Sequence, residues 1–341
     1  MNYKFALFGH GPNLCNAISF LIEGGFPKPV VITHERTHHE RDLSIFAKEK
    51  KLYQDVFDVC SIFDVDIIDP DTLNSADVLD FLRKNSCNIG FSFSCRSIIG
   101  NEIIEHFKGK IFNIHPSYLP QERGAGLFSW RILKNSNEVS GTIHYVDQEI
   151  DTGNIVLQKK TICTVEFPFP KDYLIETISL FDELFKDFLD NLSLYLRNQG
   201  IKQDKSKSSY YHRLITEVHG FIDWSQQGVH IERLIRAFSY PYPGARTFLN
   251  GQKAVIFEAK FVPFEHHPHP FMYGKVFEFE KDYAKVIVKD GHLLISKVHL
   301  ESNKEVLLKN IKPSISFHSD FLSMINANKP ISLKNYSNQK K

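Results

Sequence analysis

The chain has 341 residues, of which 42% are hydrophobic and 24% charged; 41 Lys and Arg against 40 Asp and Glu leave a formal net charge of +1. Such a chain is long enough for about two globular domains and lacks the basic surplus of a protein that grips a long phosphate backbone, so nucleic acid is not an expected partner. No apolar run approaches the roughly 20 residues that cross a bilayer, so no membrane partner is expected either.

The opening MNYKFALFGHG enters a strand at once, without the pattern of a leader. The five cysteines, Cys15, Cys60, Cys87, Cys95 and Cys163, form no C-x-x-C pair, which points to reduced thiols and a cytoplasmic setting. Residues 3–8 read as a buried strand ending at Gly9-His10-Gly11, and 13–23 as a helix. Leu14 stands where a dinucleotide fingerprint needs its third glycine, so the turn is read as close backbone packing. A second strand over 29–33 leads into HERTHHERD. His34, His38 and His39 with Glu35, Glu40 and Asp42 match no zinc spacing, and a solvated loop without metal is expected. The carboxyl end of a parallel strand also suits contacts to a substrate phosphate, which makes His34 and Arg41 candidate substrate residues. Residues 66–69 read as a short strand, 76–85 as an amphipathic helix and 88–94 (NIGFSFS) as a buried strand with an exit loop over 95–99.

Residues 110–123, KIFNIHPSYLPQER, carry the first chemistry. A period of two puts Phe112 and Ile114 on one face and Asn113 and His115 on the other, and Pro116 ends the strand with His115 at its carboxyl tip. Taken alone, the pair could equally face water on an edge strand. A further strand over 141–147 (GTIHYVD) is followed by the tight loop 148–153, QEIDTG. Gly153 is expected at positive φ, turning the backbone so that the Asp151 carboxylate holds a set direction. Asn, His and Asp are parts for acyl transfer: an amide donates to a developing oxyanion, an imidazole moves a proton near neutral pH, and a carboxylate holds the imidazole.

The segments FNIHPSYLP and SGTIHYVDQEIDTGNIVLQ together resemble the 10-formyltetrahydrofolate-dependent formyltransferases. That family includes methionyl-tRNA formyltransferase, glycinamide ribonucleotide transformylase and the N-formyltransferases of nucleotide-linked amino sugars. The resemblance implies a catalytic triad of Asn113, His115 and Asp151. It implies a folate pocket lined by the exit loop and the later loop, with Ser92, Phe93, Ser94, Arg96, Ile98, Asp147 and Ile150 as candidates. Phe91 and Phe93, taken singly, fit plain sheet core at least as well. Where the tRNA enzymes run nearer to SLLPRWRG, this chain has Gln121 and Glu122, a departure that fits a smaller acceptor. Ser117, Tyr118 and Arg123 beside them are candidate substrate residues. Arg123 is equally suited to a phosphate or to a neighbouring carboxylate.

Residues 155–161 read as a strand and 174–195 as a helix with leucine and phenylalanine at helical spacing. QGIKQDKSKSS, 199–209, is polar and lysine-rich and reads as a linker or solvated loop. HGFIDWSQ and RAFSYPYPGAR resemble a segment shared by the longer formyltransferases, and Tyr242 within it is a candidate substrate contact. AVIFEAKFV, GKVFEFE, AKVIVKD and HLLISKVHL then alternate as antiparallel strands, while His266, His267 and His269 sit among prolines without convergent metal spacing. The expected fold is α/β: a Rossmann-like, mostly parallel catalytic domain (1–198), a linker (199–212) and a smaller OB-like antiparallel β domain (213–341).

The resemblance implies formyl transfer from 10-formyltetrahydrofolate to the amine of a nucleotide-linked sugar, with dTDP-4-amino- or 3-amino-dideoxyhexoses the expected acceptors, no metal, and a homodimer. His115 would act as base, Asn113 as oxyanion donor and Asp151 as orienting acid. Methionyl-tRNA formylation is the alternative within the family, and hydrolysis of the formyl donor would use the same triad. A nucleotide-sugar reductase or epimerase, or an inactive binding module, are alternatives of another class.

Overall fold

The computed structural model describes residues 3–36, 53–280, 282–300 and 315–329. His38, His39, Glu40, Arg41 and Asp42 lie outside the described residues. The chain forms two compact units that interleave: residues 1–124, 138–163 and 174–210 make the first, and 125–137, 164–173 and 211–341 the second.

The first unit holds a seven-stranded sheet. Its strands are β1 (Phe5–Gly9), β2 (Val30–Ile32), β3 (Ile67–Ile68), β4 (Ile89–Phe93) and β5 (Ile111–His115), then β7 (Glu138–Tyr145) and β8 (Ile155–Ile162), in the order β3-β2-β1-β4-β5-β7-β8. The two-residue strands β6 (Arg123–Gly124) and β9 (Tyr210–Tyr211) stand outside it. β1 to β5 pair in parallel, and β7 and β8 add antiparallel at one edge. The chain winds outward from β1 through β2 to β3 and returns on the other side of β1 at β4. The carboxyl ends of β1 and β4 therefore flank a crevice, the usual ligand position in an open α/β sheet. The glycine turn after β1 meets β4 closely: His10 N–H donates to Phe93 O at 3.0 Å, and a Cβ on Gly9 would lie 1.9 Å from that oxygen.

Strands buried on both faces explain the near-continuous apolar runs of β1 and β4. One face packs Ala6, Phe8, Val30, Ile32, Val78, Leu82, Ile103 and Phe107, with the helices Ala76–Lys84 and Asn101–His106 supplying part of it. An aromatic cluster fills the other. Phe91 meets Phe93 at 4.7 Å and Phe185 at 4.8 Å between ring centroids, and Phe112 meets Phe188 at 4.9 Å. Phe185 and Phe188 come from the helix Pro170–Asp190, where Leu180, Phe181 and Leu184 complete the buried stripe. That helix starts before 174 because Asp172 Oδ2 accepts the Phe169 N–H at 2.8 Å, and a separate turn, Leu192–Tyr195, follows it. The first helix, Pro12–Glu23, is pinned to it: Asn13 and Asn16 donate their side-chain amides to the two Asp182 carboxylate oxygens at 2.8 and 2.7 Å.

The second unit is built on a six-stranded antiparallel sheet of β10 (Ala245–Leu249), β11 (Gln252–Pro263), β12 (Val276–Glu280), β13 (Tyr283–Val288), β14 (Gly291–Leu300) and β15 (Phe317–His318). Their order is β12-β13-β14-β11-β10-β15. The helix Gly228–Ala237 packs against β11 and against the helix Leu127–Leu133, where Ser129 Oγ donates to Ala237 O at 2.7 Å. The whole is the expected α/β architecture with an antiparallel carboxyl-terminal sheet.

Candidate active site

β5 ends at His115, with Pro116 unable to continue the ladder. Antiparallel pairing with β7 sets Asn113 opposite His144 and His115 opposite Thr142. Residues two apart share a face, so Asn113, His115, Thr142 and His144 all project from one side of the sheet while Phe112 lies in the aromatic core on the other. The 148–153 loop then brings Asp151 onto that face.

Asp151 Oδ1 lies 3.4 Å from His115 Nδ1 and 3.6 Å from His144 Nε2, and Oδ2 accepts the Gly124 N–H at 2.9 Å. The side chains of His115, His144 and Asp151 are 5%, 3% and 11% exposed, so the charges interact with little screening. At 3.4 Å the His115 contact is a charge contact rather than a short hydrogen bond. Burial by itself pushes the Asp151 carboxyl upward, but His115, His144 and the Gly124 amide outweigh it and hold it well below the usual carboxylate range.

Backbone carbonyls set the histidine protons. His115 Nε2 donates to Glu122 O at 2.9 Å, which turns Nδ1 to the carboxylate, and His144 Nδ1 donates to Tyr145 O at 2.8 Å, which turns Nε2 to Asn113 Nδ2 at 3.1 Å. His144 Nε2 and the Asn113 amide thus hold one another on the face that carries His115. Thr142 steadies the loop after β5: its hydroxyl donates to Ser117 O at 2.6 Å and accepts the Leu119 N–H at 3.2 Å.

The expected positive φ falls on Asp151 (φ 55°), not on Gly153. Glycine is needed at 153 for a different reason, since a Cβ there would lie 1.8 Å from Tyr145 O. The loop therefore turns at Asp151 itself, and Gly153 packs against the end of β7.

The other candidates scatter. Ser92 is buried in β4 opposite Asn113, Phe93 points into the aromatic core, and Ser94 and Ile98 are exposed. Arg96 bridges two histidines, its backbone N–H donating to His34 Nε2 and its Nε to His10 Nε2, both at 3.2 Å. Asp147 is exposed and accepts the Thr152 hydroxyl at 2.7 Å, and Ile150 is half-buried beside it. Ser117 is buried with its hydroxyl on Gln121 O at 2.9 Å, and Tyr118 lies under Lys160 Nζ, 4.2 Å from the ring centroid. Arg123 forks onto the Gln203 side-chain oxygen, and Tyr242 belongs to the second unit. His144 and Gln203 are absent from the sequence-derived candidates. His144 carries a signal in the alternation of GTIHYVD, but only strand pairing puts it opposite Asn113. Among the described residues no group of three or more His, Cys, Asp or Glu side chains could hold a metal ion, and no helix is long and apolar enough to cross a membrane.

An amide, two imidazoles and a low-lying carboxylate thus meet at the tip of a strand in an open α/β sheet. The formyl transferase profile matches residues 3–166 and the formyl transferase C-terminal domain profile matches 214–312. The chain belongs to the formyl transferase family. The bifunctional polymyxin resistance protein ArnA of Wigglesworthia glossinidia brevipalpis is 28% identical over 320 residues, or 86% of this chain and 45% of that protein, so the chain spans less than half of that relative. Methionyl-tRNA formyltransferase of Syntrophus aciditrophicus is 26% identical over 301 residues, covering 85% of this chain and 89% of that one. A solved N-formyltransferase from Helicobacter canadensis, in complex with folinic acid and dTDP-3-aminofucose, shares the fold with a TM-score of 0.64 at 21% identity, over 89% of this chain and 100% of the other.

Proposed function

We propose that the protein transfers a formyl group from 10-formyltetrahydrofolate to the amine of a nucleotide-linked amino sugar, a dTDP-3-amino- or 4-amino-dideoxyhexose, in the cytoplasm. The observation that carries this reading is the convergence of Asn113, His115 and Asp151 on one face at the end of β5. The sugar acceptor draws support from the ligands of the Helicobacter canadensis enzyme that shares the fold, from the balanced charge, and from Gln121 and Glu122 where the tRNA enzymes carry an aromatic and an arginine.

In this reading the acceptor nitrogen attacks the formyl carbon as a neutral amine. Negative charge gathers on the formyl oxygen, where the Asn113 amide meets it. Neutral His115 takes the proton that the attacking nitrogen loses, and Asp151 offsets the imidazolium that forms and keeps Nδ1 directed. Collapse of the tetrahedral intermediate breaks the bond to N10 of the folate, and the imidazolium returns its proton to that nitrogen, so that tetrahydrofolate leaves and His115 is neutral again. Ser92, Ser94, Arg96, Ile98, Asp147 and Ile150 are assigned to the folate side, the loop backbone reading the pterin. His34 is assigned to the sugar-nucleotide phosphates.

Formylation of methionyl-tRNA is the second reading, kept because the similarity to that enzyme covers 89% of its length. Incubating the protein and 10-formyltetrahydrofolate with a panel of amino-sugar nucleotides, and separately with charged initiator tRNA, followed by mass spectrometry, decides between them. One formyl group gained by a dTDP-amino sugar is the expected result. Formylation of the tRNA with every sugar unchanged would overturn the reading.

A further inference from the structure

Gln203 lies in the polar segment that composition reads as linker, yet it is 6% exposed. Its Nε2 donates to Asp151 O at 2.9 Å and to Gly153 O at 2.7 Å, while its Oε1 accepts from Arg123 Nε at 3.2 Å and Nη2 at 2.6 Å. The partners orient the amide without ambiguity, because carbonyls only accept and a guanidinium only donates. The neighbours of Gln203 are tied down as well. Ile201 and Ile155 exchange backbone hydrogen bonds at 2.7 and 2.8 Å, Ser209 O accepts the Arg123 N–H at 2.9 Å, and Ser209 Oγ accepts the Glu122 N–H at 2.9 Å.

Residues 201–209 thus clasp both loops that carry the site. One is the 122–124 turn, whose Glu122 carbonyl accepts from His115 and whose Gly124 N–H donates to Asp151. The other is the 151–153 loop, where Asp151 adopts a φ of 55°. Aspartate adopts that conformation more readily than most side chains, and the hydrogen bonds around this turn hold it there. A single side chain meets the carbonyls at both ends of this turn and is itself anchored to the opposite loop.

We infer that Gln203 is a positioning residue for formyl transfer: it locks the Asp151 backbone against Arg123 and so sets the direction of the Asp151 carboxylate toward His115. The inference rests on the role assigned to Asp151 above. Gln203→Glu is near-isosteric but turns oxygens toward both carbonyls, and Gln203→Leu removes the contacts altogether. For each, kcat is expected to fall roughly ten- to a hundredfold, the cost of a displacement on the order of 1 Å, with the KM for the amino-sugar nucleotide little changed. Gln203→Glu should add no further loss in an Asp151→Asn background, because the two act as one unit. Arg123→Met, which loosens the other end of the same amide, should lower kcat by a smaller factor and serves should the Gln203 variants misfold.

Wild-type kcat in folded Gln203→Glu beside a crippled Asp151→Asn, or a full extra loss in the double variant, overturns the inference alone. A rise in KM without a fall in kcat for Arg123→Met overturns it too, because Arg123 would then be serving the substrate. Full activity of Asp151→Asn overturns the assigned role of Asp151 and the inference with it.

Discussion

Asp151 is the residue on which both the proposed chemistry and local stability turn. Its carboxyl is held below the ordinary range, so folding favours the charged form. The stability this contributes is complete at neutral pH, begins to fall as pH drops through about 4, where the unfolded carboxyl titrates, and is lost as pH passes through the depressed folded value. Urea unfolding at pH 7 and at pH 4 should therefore show a smaller acid-induced loss in Asp151→Asn than in the parent protein. Asn113→Ala removes the amide donor and is expected to lower kcat about a hundredfold, near 3 kcal/mol in the barrier, without a matching change in thermal midpoint. Gly153→Ala tests the close approach to Tyr145 O, and the added methyl should displace the loop and depress kcat even where the protein stays folded.

At the scale of elements, the site stands on a sheet held from behind by aromatic packing. The rings of Phe91, Phe112, Phe185 and Phe188 join β4 and β5 to the helix Pro170–Asp190, so the strand that carries Asn113 and His115 is immobilised by its apolar alternate residues. Phe188→Ala should cost about 3–5 kcal/mol in denaturant unfolding, as a large buried ring leaves a cavity. The clamp of Asn13 and Asn16 on Asp182 is a smaller feature of the same face. Asp182→Ala takes the acceptor from the half-buried Asn16 amide and leaves Asn13 with Ile178 O, and should cost about 1–3 kcal/mol, with the Pro12–Glu23 helix losing amide-exchange protection first.

Across the whole molecule all five cysteines are free. Burial pushes the thiols of Cys15, Cys60 and Cys87 up to about 12 and that of Cys95 to about 11, so little thiolate exists at neutral pH. A thiol-specific disulfide reagent should count five groups in denatured protein and react only slowly with the native form. Fast native reaction of more than one thiol would contradict the described packing. The two compact units interleave along the chain, with 125–137 and 164–173 grouped with residues beyond 211. The polar segment of 199–209 holds Gln203 inward while Lys202, Lys205 and Lys207 face out. A composition dominated by solvated lysines hides one buried amide.

Local rules were enough for much of this protein. Alternation put Asn113 and His115 on one face, Pro116 ended β5, the spacing of leucine and phenylalanine drew most of the long helix, and four of the carboxyl-terminal strands could be read from apolar and polar periodicity. Each of these depends on residues within one or two turns of chain, where backbone geometry alone dictates which side chains share a face. What the linear order left undetermined needed partners from afar: the antiparallel pairing that sets His144 against Asn113, the contact with Tyr145 that makes glycine obligatory at 153 and moves the positive φ to Asp151, and the reach of Gln203 across to the loops at 123 and 151. Strand pairing and close packing between distant segments leave no periodic trace in any one of them, because the energy that selects them appears only when both sides are present.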